Sequence, residues 1–454
     1  MWFLALVVLL LLLCAFLLSL WLSVWHHQPV ALCAPHRRPM KIGVVLGSGG
    51  HTSEMLRAIS ELPSAFWHDN RPFYVVSATD AHSGDLAQQQ EQKLFKRRAI
   101  VYKIPRAREV GQSYITSVAS TLEAAAASLR VIFAERPDVL LTNGPGVCIP
   151  VIAAALCVAA CLPWWYKRPA IVYMESFTCV AHLSLTGRLL APFVADVFTV
   201  HWRSLEKAVQ QCRRRGTLVY IGCEEADETQ GVSSGTTTTT AAAFASDRFP
   251  PPLPSEQEPY ALVTVGSTRF TALVETMVQP TLCAALKKHF RLSTLYVQYG
   301  TAALSMPAGA TAMRATLQDG EAPLSSPVQQ WICGGLRVEA FPYRPHLDAL
   351  IRTATLVVTH AGAGTILEGL QACRPLVVVP NRQLMSDHQL ELADGLAAGR
   401  FLFSLPVTQL AEQLPTLDVS VLRRHRGMDV EQLRTSLRLV LAGHADASGN
   451  SKAD

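Results

Sequence analysis

LVVTHAGAGTILEGL (Leu356–Leu370) reads as an apolar strand that breaks at glycines and resumes as a helix. Gly362 and Gly364 permit a tight strand-to-helix turn, and the free N–H groups at the start of such a helix suit a diphosphate. Glu368 stands one helical turn further in, where its carboxylate can accept from ribose hydroxyls. The next strand, ending at Asn381, leads into a polar stretch in which Asn381, Asp387, His388 and Gln389 offer groups that bond sugar hydroxyls. Two polar sites at successive strand ends, with His360 and Thr365 beside the first, make a nucleotide-sugar pocket.

The same alternation extends upstream. YALVTVG (Tyr260–Gly266), LYVQYG (Leu295–Gly300) and RVEAF (Arg337–Phe341) are further strands separated by helical patterns. VGSTRF puts Gly266, Ser267 and Thr268 at a strand end as small, N–H-rich backbone, with Arg269 able to pair with a phosphate. Thr301 to Trp331 is polar and rich in small residues and reads as a long surface loop. Residues 260–442 form one α/β domain, and 443–454 a tail.

Residues 41–223 form another. Its strands are Ile42–Gly47, Phe73–Thr79, Val139–Gly144, Ile171–Ser176, Val197–Trp202 and Leu218–Gly222. GSGGHTSEML carries Gly47, Ser48, Gly49 and Gly50 between a strand and a helix, the arrangement of a diphosphate or oxyanion loop. It is not a dinucleotide fingerprint, because Thr52 stands where GxGxxG needs glycine, and no GK[ST] follows for a P-loop. His51 at its mouth is either a general base, with a pKa near working pH, or structural. In TNGPG, Asn143 and Gly144 are a plain turn or a second phosphate-facing loop. Glu175 follows a strand and can orient a hydroxyl or His51. Residues 224–259, with a threonine run and a proline cluster, cannot bury a core and read as a linker. Ligands of such sheets bind at the carboxyl ends of strands. The fold expected is α/β of the GT-B type, two Rossmann-like domains facing a cleft, with one N-terminal transmembrane helix.

That helix is residues 1–27. Trp2–Trp25 carries no charge, is longer than a signal-peptide core and has no basic residue before it. Arg37, Arg38 and Lys41 follow, which places the domains on the cytosolic side. Val147–Tyr166, ending PWWY, is read as a buried or membrane-leaning helix that can meet an isoprenoid lipid, with a second span as the lesser reading. The 11 cysteines show neither disulfide-framework nor zinc spacing, and no metal-ligand motif is present. A net charge of +5 with no basic aromatic helix argues against nucleic acid.

On these residues a resemblance emerges. VGSTRF, HAGAGTILEGL and VVVPNRQLMSDHQLELA resemble the catalytic subunit of the eukaryotic transferase that adds the second N-acetylglucosamine to dolichol diphosphate. GSGGHTSEML, IPRAREVGQS (Ile104–Ser113), LTNGPG, YMESF with LSLTGRLL (Leu183–Leu190), and TVHW resemble that enzyme's membrane-anchor subunit. The fused layout is similar to the bacterial lipid-linked N-acetylglucosaminyltransferase of peptidoglycan synthesis. The resemblance implies UDP-GlcNAc as donor, no tightly bound cofactor, and dolichyl-diphosphate-GlcNAc as acceptor. It implies an endoplasmic reticulum membrane site on the cytosolic face and the preceding pathway enzyme as a partner. It also implies that Glu368 contacts the uridine ribose, that Asp387, His388 and Gln389 contact the sugar, and that His51 is the base of an inverting transfer. His201 stands in TVHW where the family pattern leads one to expect glutamine. Two other readings stay open: a GT-B transferase with a different lipid acceptor, and a non-catalytic membrane scaffold.

Overall fold

The computed structural model describes residues 16–22, 39–47, 49–60, 62, 64–80, 82–106, 117–144, 147–222, 249–251, 258–266, 268–302, 304–312, 328–344, 347–381, 387–425, 432 and 435. The chain divides into two compact units, Met1–Gly222 with Met428–Asp454, and Cys223–Gly427.

The first unit is built on β1 (Ile42–Val45), β2 (Pro72–Ser77), β3 (Ile100–Ile104), β4 (Val139–Asn143), β5 (Ala170–Met174), β6 (Val197–Val200) and β7 (Thr217–Tyr220). They form one sheet in the order β3-β2-β1-β4-β5-β6-β7, with every pairing parallel. Strands covered on both faces read as continuous apolar runs, and β1, β2, β4, β5 and β6 are buried throughout. Successive side chains feed opposite layers. Val45, Val75, Leu140 and Ile171 join the cluster that includes the helix Cys148–Cys161. Val44, Tyr74, Leu141 and Val172 join the one that includes the helix Gly50–Ser60. Strand order reverses between β1 and β4, and the gap at such a reversal is where a ligand enters an open α/β sheet. Strand β3, half-buried at the sheet edge, escaped the sequence reading because IVYKI has no long apolar run.

The helix Cys148–Cys161 has 14 residues, about 21 Å of helix against about 30 Å of hydrocarbon. Ten of its residues are buried in the core, which agrees with the reading of Val147–Tyr166 as a buried helix and sets aside the lesser reading of a second span. Trp164 and Trp165, just beyond it, remain on the surface. Of the expected transmembrane helix over 1–27, only residues 16–22 lie among the described residues; they are helical, and Ser19 Oγ donates to the Ala160 carbonyl at 2.6 Å. No helix among the described residues is long and apolar enough to cross a membrane. Of the expected linker 224–259, only 249–251, 258 and 259 are described, and the tail 443–454 lies outside the described residues.

The second unit holds β8 (Tyr260–Thr264), β9 (Thr294–Gln298), β10 (Thr311–Ala312), β11 (Gln329–Cys333), β12 (Leu336–Phe341), β13 (Leu356–His360), β14 (Leu376–Val379) and β15 (Phe403–Ser404). Their order is β10-β11-β12-β9-β8-β13-β14-β15. Pairing is parallel except for the antiparallel edge β10-β11-β12. That edge corrects the reading of 301–331 as loop. Gln329–Trp331 belong to β11, joined to β12 by a turn at Gly334 and Gly335, both at positive φ. Trp331 is 1% exposed, inside the core with Cys283, Leu286 and Val338. The order reverses between β8 and β13, so this unit too has a switch point.

Candidate active site

At the first switch point, β1 ends in a loop that turns through Gly49, at φ +65°, into the helix Gly50–Ser60. Thr52 accounts for the broken dinucleotide fingerprint. Its hydroxyl donates back to the Gly47 carbonyl and lies 2.5 Å from Ser83 Oγ, closing the loop with a side chain where a dinucleotide site uses bare backbone. His51 follows directly, its side chain 23% exposed. The two glycines beside it make room for the ring. A Cβ on Gly47 would lie 2.8 Å from His51 Cβ, and one on Gly144, itself at φ +88°, 2.8 Å from His51 Cγ.

Two polar groups meet His51. Its Nδ1 is 3.0 Å from Asn143 Oδ1, at the end of β4, and 3.7 Å from Glu54 Oε2. Glu54 is buried and accepts from Asn143 Nδ2 at 2.9 Å, and from Ser176 Oγ and the Phe177 amide at 3.2 Å each. Burial pulls the His51 pKa down, but the Glu54 hydrogen bond and charge, Asn143 and the more distant Glu175 outweigh it, so the net shift is upward. Burial pushes Glu54 up, and its bond and attraction to His51, with His201 and Asn143, bring it below the usual carboxylate value. His201 is pulled down to about 4, by burial first and Arg57 second, against the attraction of Glu54. It therefore stays neutral, packed edge-on against Phe177.

Glu54 is the residue the sequence reading missed. Its signal was the three-residue spacing from His51 on a helix, which puts both side chains on one face. It also corrects the role expected of Glu175. The Glu175 carboxylate is wholly buried and accepts from the Ser176 amide (3.1 Å), Tyr173 Oη (3.4 Å), and the Ser184 amide and Oγ (3.2 and 3.1 Å). It therefore ties the end of β5 to Ser184, the N-cap of the helix Leu185–Leu190, and makes no hydrogen bond to His51. Burial raises its pKa. A Cβ on Gly187 would lie 2.0 Å from Glu175 Oε2, which links YMESF to LSLTGRLL physically. Gly187→Ala must displace that carboxylate, and we expect it to lower stability by about 1–3 kcal/mol; an unchanged melting temperature would contradict the contact.

At the second switch point, Gly266 follows β8 at φ +59°, and a Cβ there would lie 2.9 Å from His360 Cε1 at the end of β13. The Gly266 amide donates to Thr264 Oγ1, which in turn donates to Gln298 Oε1. His360 is buried, its Nδ1 unpartnered among the described residues, and burial lowers its pKa. Gly362 caps the helix Ala363–Gln371, and a Cβ on Gly364 in its first turn would meet nothing within 4 Å. The first turn is therefore open at Gly364, as anion binding at a helix start requires, while a Cβ on Gly362 would lie 2.4 Å from His360 Nε2, so the His360 ring packs against the N-cap. Thr365 is half-buried beside it, and Thr268 is held by its own bond to the Val265 carbonyl. Arg269 and Glu368 are exposed, the latter with its pKa raised by partial desolvation and then by Asp348. Asn381 is buried at the end of β14, and Gln389 is half-buried with Oε1 unpartnered among the described residues. Ser48, Ser267 and the side chains of Asp387 and His388 lie outside the described residues. Among the described residues no group of three His, Cys, Asp or Glu side chains could hold a metal ion.

Known proteins align with both units. Residues 42–218 match the family described as oligosaccharide biosynthesis protein Alg14 like, and residues 260–420 the glycosyltransferase family 28 C-terminal domain. The UDP-N-acetylglucosamine transferase subunit ALG14 of Rattus norvegicus is 33% identical over 210 residues, 45% of this chain and 92% of its own length. The subunit of the same name from Candida albicans is 37% identical over 188 residues, 39% of this chain and 78% of its own. Among solved structures, Arabidopsis thaliana UGT89C1 complexed with UDP-L-rhamnose superposes with a TM-score of 0.52 at 13% identity, covering 89% of this chain and 100% of that one. At that identity the likeness is one of fold, and the fold is GT-B.

Proposed function

The chain belongs to the family of the UDP-N-acetylglucosamine transferase subunit ALG14, and from that membership, joined to its family 28 domain, we propose that this one polypeptide carries out a complete transfer of N-acetylglucosamine from UDP-GlcNAc to GlcNAc-diphosphodolichol. It is a GT-B glycosyltransferase that uses a UDP-sugar donor. The acceptor's 4-hydroxyl gives its proton to His51 while its oxygen attacks the anomeric carbon. The bond from that carbon to the diphosphate breaks, UDP departs with the electron pair, and inversion leaves a β1,4-linked chitobiosyl lipid. Backbone N–H groups at Gly364 and Thr365, with Arg269, receive the diphosphate charge, and Gly266, Ser267, Thr268, His360 and Gly362 line the site. Glu368 bonds the ribose; Asn381, Asp387, His388 and Gln389 bond the sugar. Gly47 to Gly50, Asn143 and Gly144 face the acceptor diphosphate, and Glu175 holds the adjoining loop in place. The protein works on the cytosolic face of the endoplasmic reticulum membrane, anchored through residues 1–27, beside the enzyme that makes its acceptor.

The observation that carries this reading is the presence on one chain of an Alg14-like unit and a family 28 unit, which match 42–218 and 260–420. The test is transfer of labelled N-acetylglucosamine to a short isoprenyl-diphosphate-GlcNAc by the purified full chain with no second subunit added. Product is expected, and Glu368→Ala should lower kcat/KM about 10- to 100-fold, the worth of hydrogen bonds to a charged group. Bound donor without product would reject this acceptor.

A further inference from the structure

The contacts around His51 determine which of its nitrogens carries the proton. A carboxylate only accepts, so Asn143, 2.9 Å from Glu54 Oε2, must turn its NH2 toward Glu54. That orientation aims Asn143 Oδ1 at His51 Nδ1, 3.0 Å away. A carbonyl oxygen only accepts as well, so the hydrogen in that bond sits on Nδ1. Neutral His51 is then the Nδ1–H tautomer, with the lone pair on Nε2, which no described residue engages. Glu54 cannot swing away, because Ser176 Oγ and the Phe177 amide hold its other oxygen at 3.2 Å.

We propose that Glu54 is a positioning residue: through the Asn143 amide it locks His51 in the Nδ1–H tautomer and so presents Nε2 as the base. The proposal rests on the base role given to His51 above. In the transfer, the acceptor's O–H proton moves to Nε2, and the O–H electron pair becomes part of the new bond to the anomeric carbon. Nδ1 keeps its own hydrogen throughout. Glu54 takes no proton; at 3.7 Å from Nδ1 its charge stabilises the imidazolium as it forms. The charged groups acting on the ring are Glu54 on its own helix and Glu175 after β5; His201 after β6 faces Glu54, and Arg57 faces His201. With His201 neutral, Glu54 is the nearest counter-charge.

The tautomer is read directly from the ¹⁵N spectrum of full-length protein labelled at histidine, with His51→Gln identifying the signal. The expected result is a protonated Nδ1 and a bare Nε2 for neutral His51. In Glu54→Gln, which keeps the size of the side chain, Asn143 can turn over and the two tautomers mix. Its kcat should fall about 10- to 100-fold, part of what a general base supplies, with KM for UDP-GlcNAc unchanged. The acid limb of kcat/KM should move to lower pH, because the group that raises the His51 pKa is gone while burial remains. A proton on Nε2 in the parent protein overturns the proposal even if the variant does not fold. So do parental kcat and an unshifted limb in a folded Glu54→Gln. If instead His51→Ala stays active, the base role fails, and the spectrum still reports the tautomer independently.

Discussion

Replacing His51 by alanine should lower turnover about 10²- to 10⁴-fold while leaving UDP-GlcNAc affinity within about twofold, the range a positioned general base contributes. The expectation follows from where the ring sits. His51 lies at the reversal of the first sheet, and the residues proposed for the donor lie at the reversal of the second. Removing the ring takes away a proton acceptor and leaves Gly266, His360 and the helix Ala363–Gln371 untouched. Nor should it unfold the site, because Asn143 and Glu54 keep their bond to each other and Glu54 keeps Ser176 and Phe177. The parent enzyme should lose kcat/KM on the acid side, with an apparent pKa above that of an ordinary imidazole, because its neighbours raise His51 and only the neutral ring accepts a proton. That limb should be missing from whatever activity His51→Ala retains. Transfer by the variant within tenfold of the parent, with the limb intact, would move the base to another residue.

What was legible in the sequence follows from where each signal lies. A glycine turn between an apolar strand and a helix is local, so GSGGH and HAGAG could be read without knowing the fold. The two reversals could not, because strand order is set by crossovers between residues far apart in the chain, such as β1 beside β4 and β8 beside β13. Glu175 was misjudged for a related reason. Its place at a strand end was correct, but its partners, Ser184 and the space left by Gly187, come from a helix ten residues downstream. Glu54 escaped because one carboxylate on an amphipathic helix resembles any solvated charge; only the approach of Asn143, Ser176 and Phe177 reveals it as buried. The edge hairpin escaped because composition describes an average. Thr301–Trp331 is polar on the whole, and the residue that matters to the core is its last.

That residue supports the second large effect. Trp331→Ala should destabilise the protein by about 3–5 kcal/mol, the usual consequence of emptying a buried aromatic site. For a unit of this size that is a fall in melting temperature of roughly 6–20 °C. The side chain is 1% exposed among Val278, Leu286 and Val338, and helix and strand backbones surround it, so the void has little means of collapsing. Trp331→Phe should cost far less, under about 1.5 kcal/mol. The indole Nε1 is buried with no hydrogen-bond partner among the described residues, so the larger ring brings an unpaired donor that phenylalanine omits. Saturating UDP-GlcNAc provides the check on mechanism. A ligand at 100 times its Kd adds about 2.7 kcal/mol to the folded state, so it should restore most of the alanine variant's lost melting temperature if only packing has been removed. Were 301–331 a surface loop, both variants would melt with the parent, and the second sheet would end at β12.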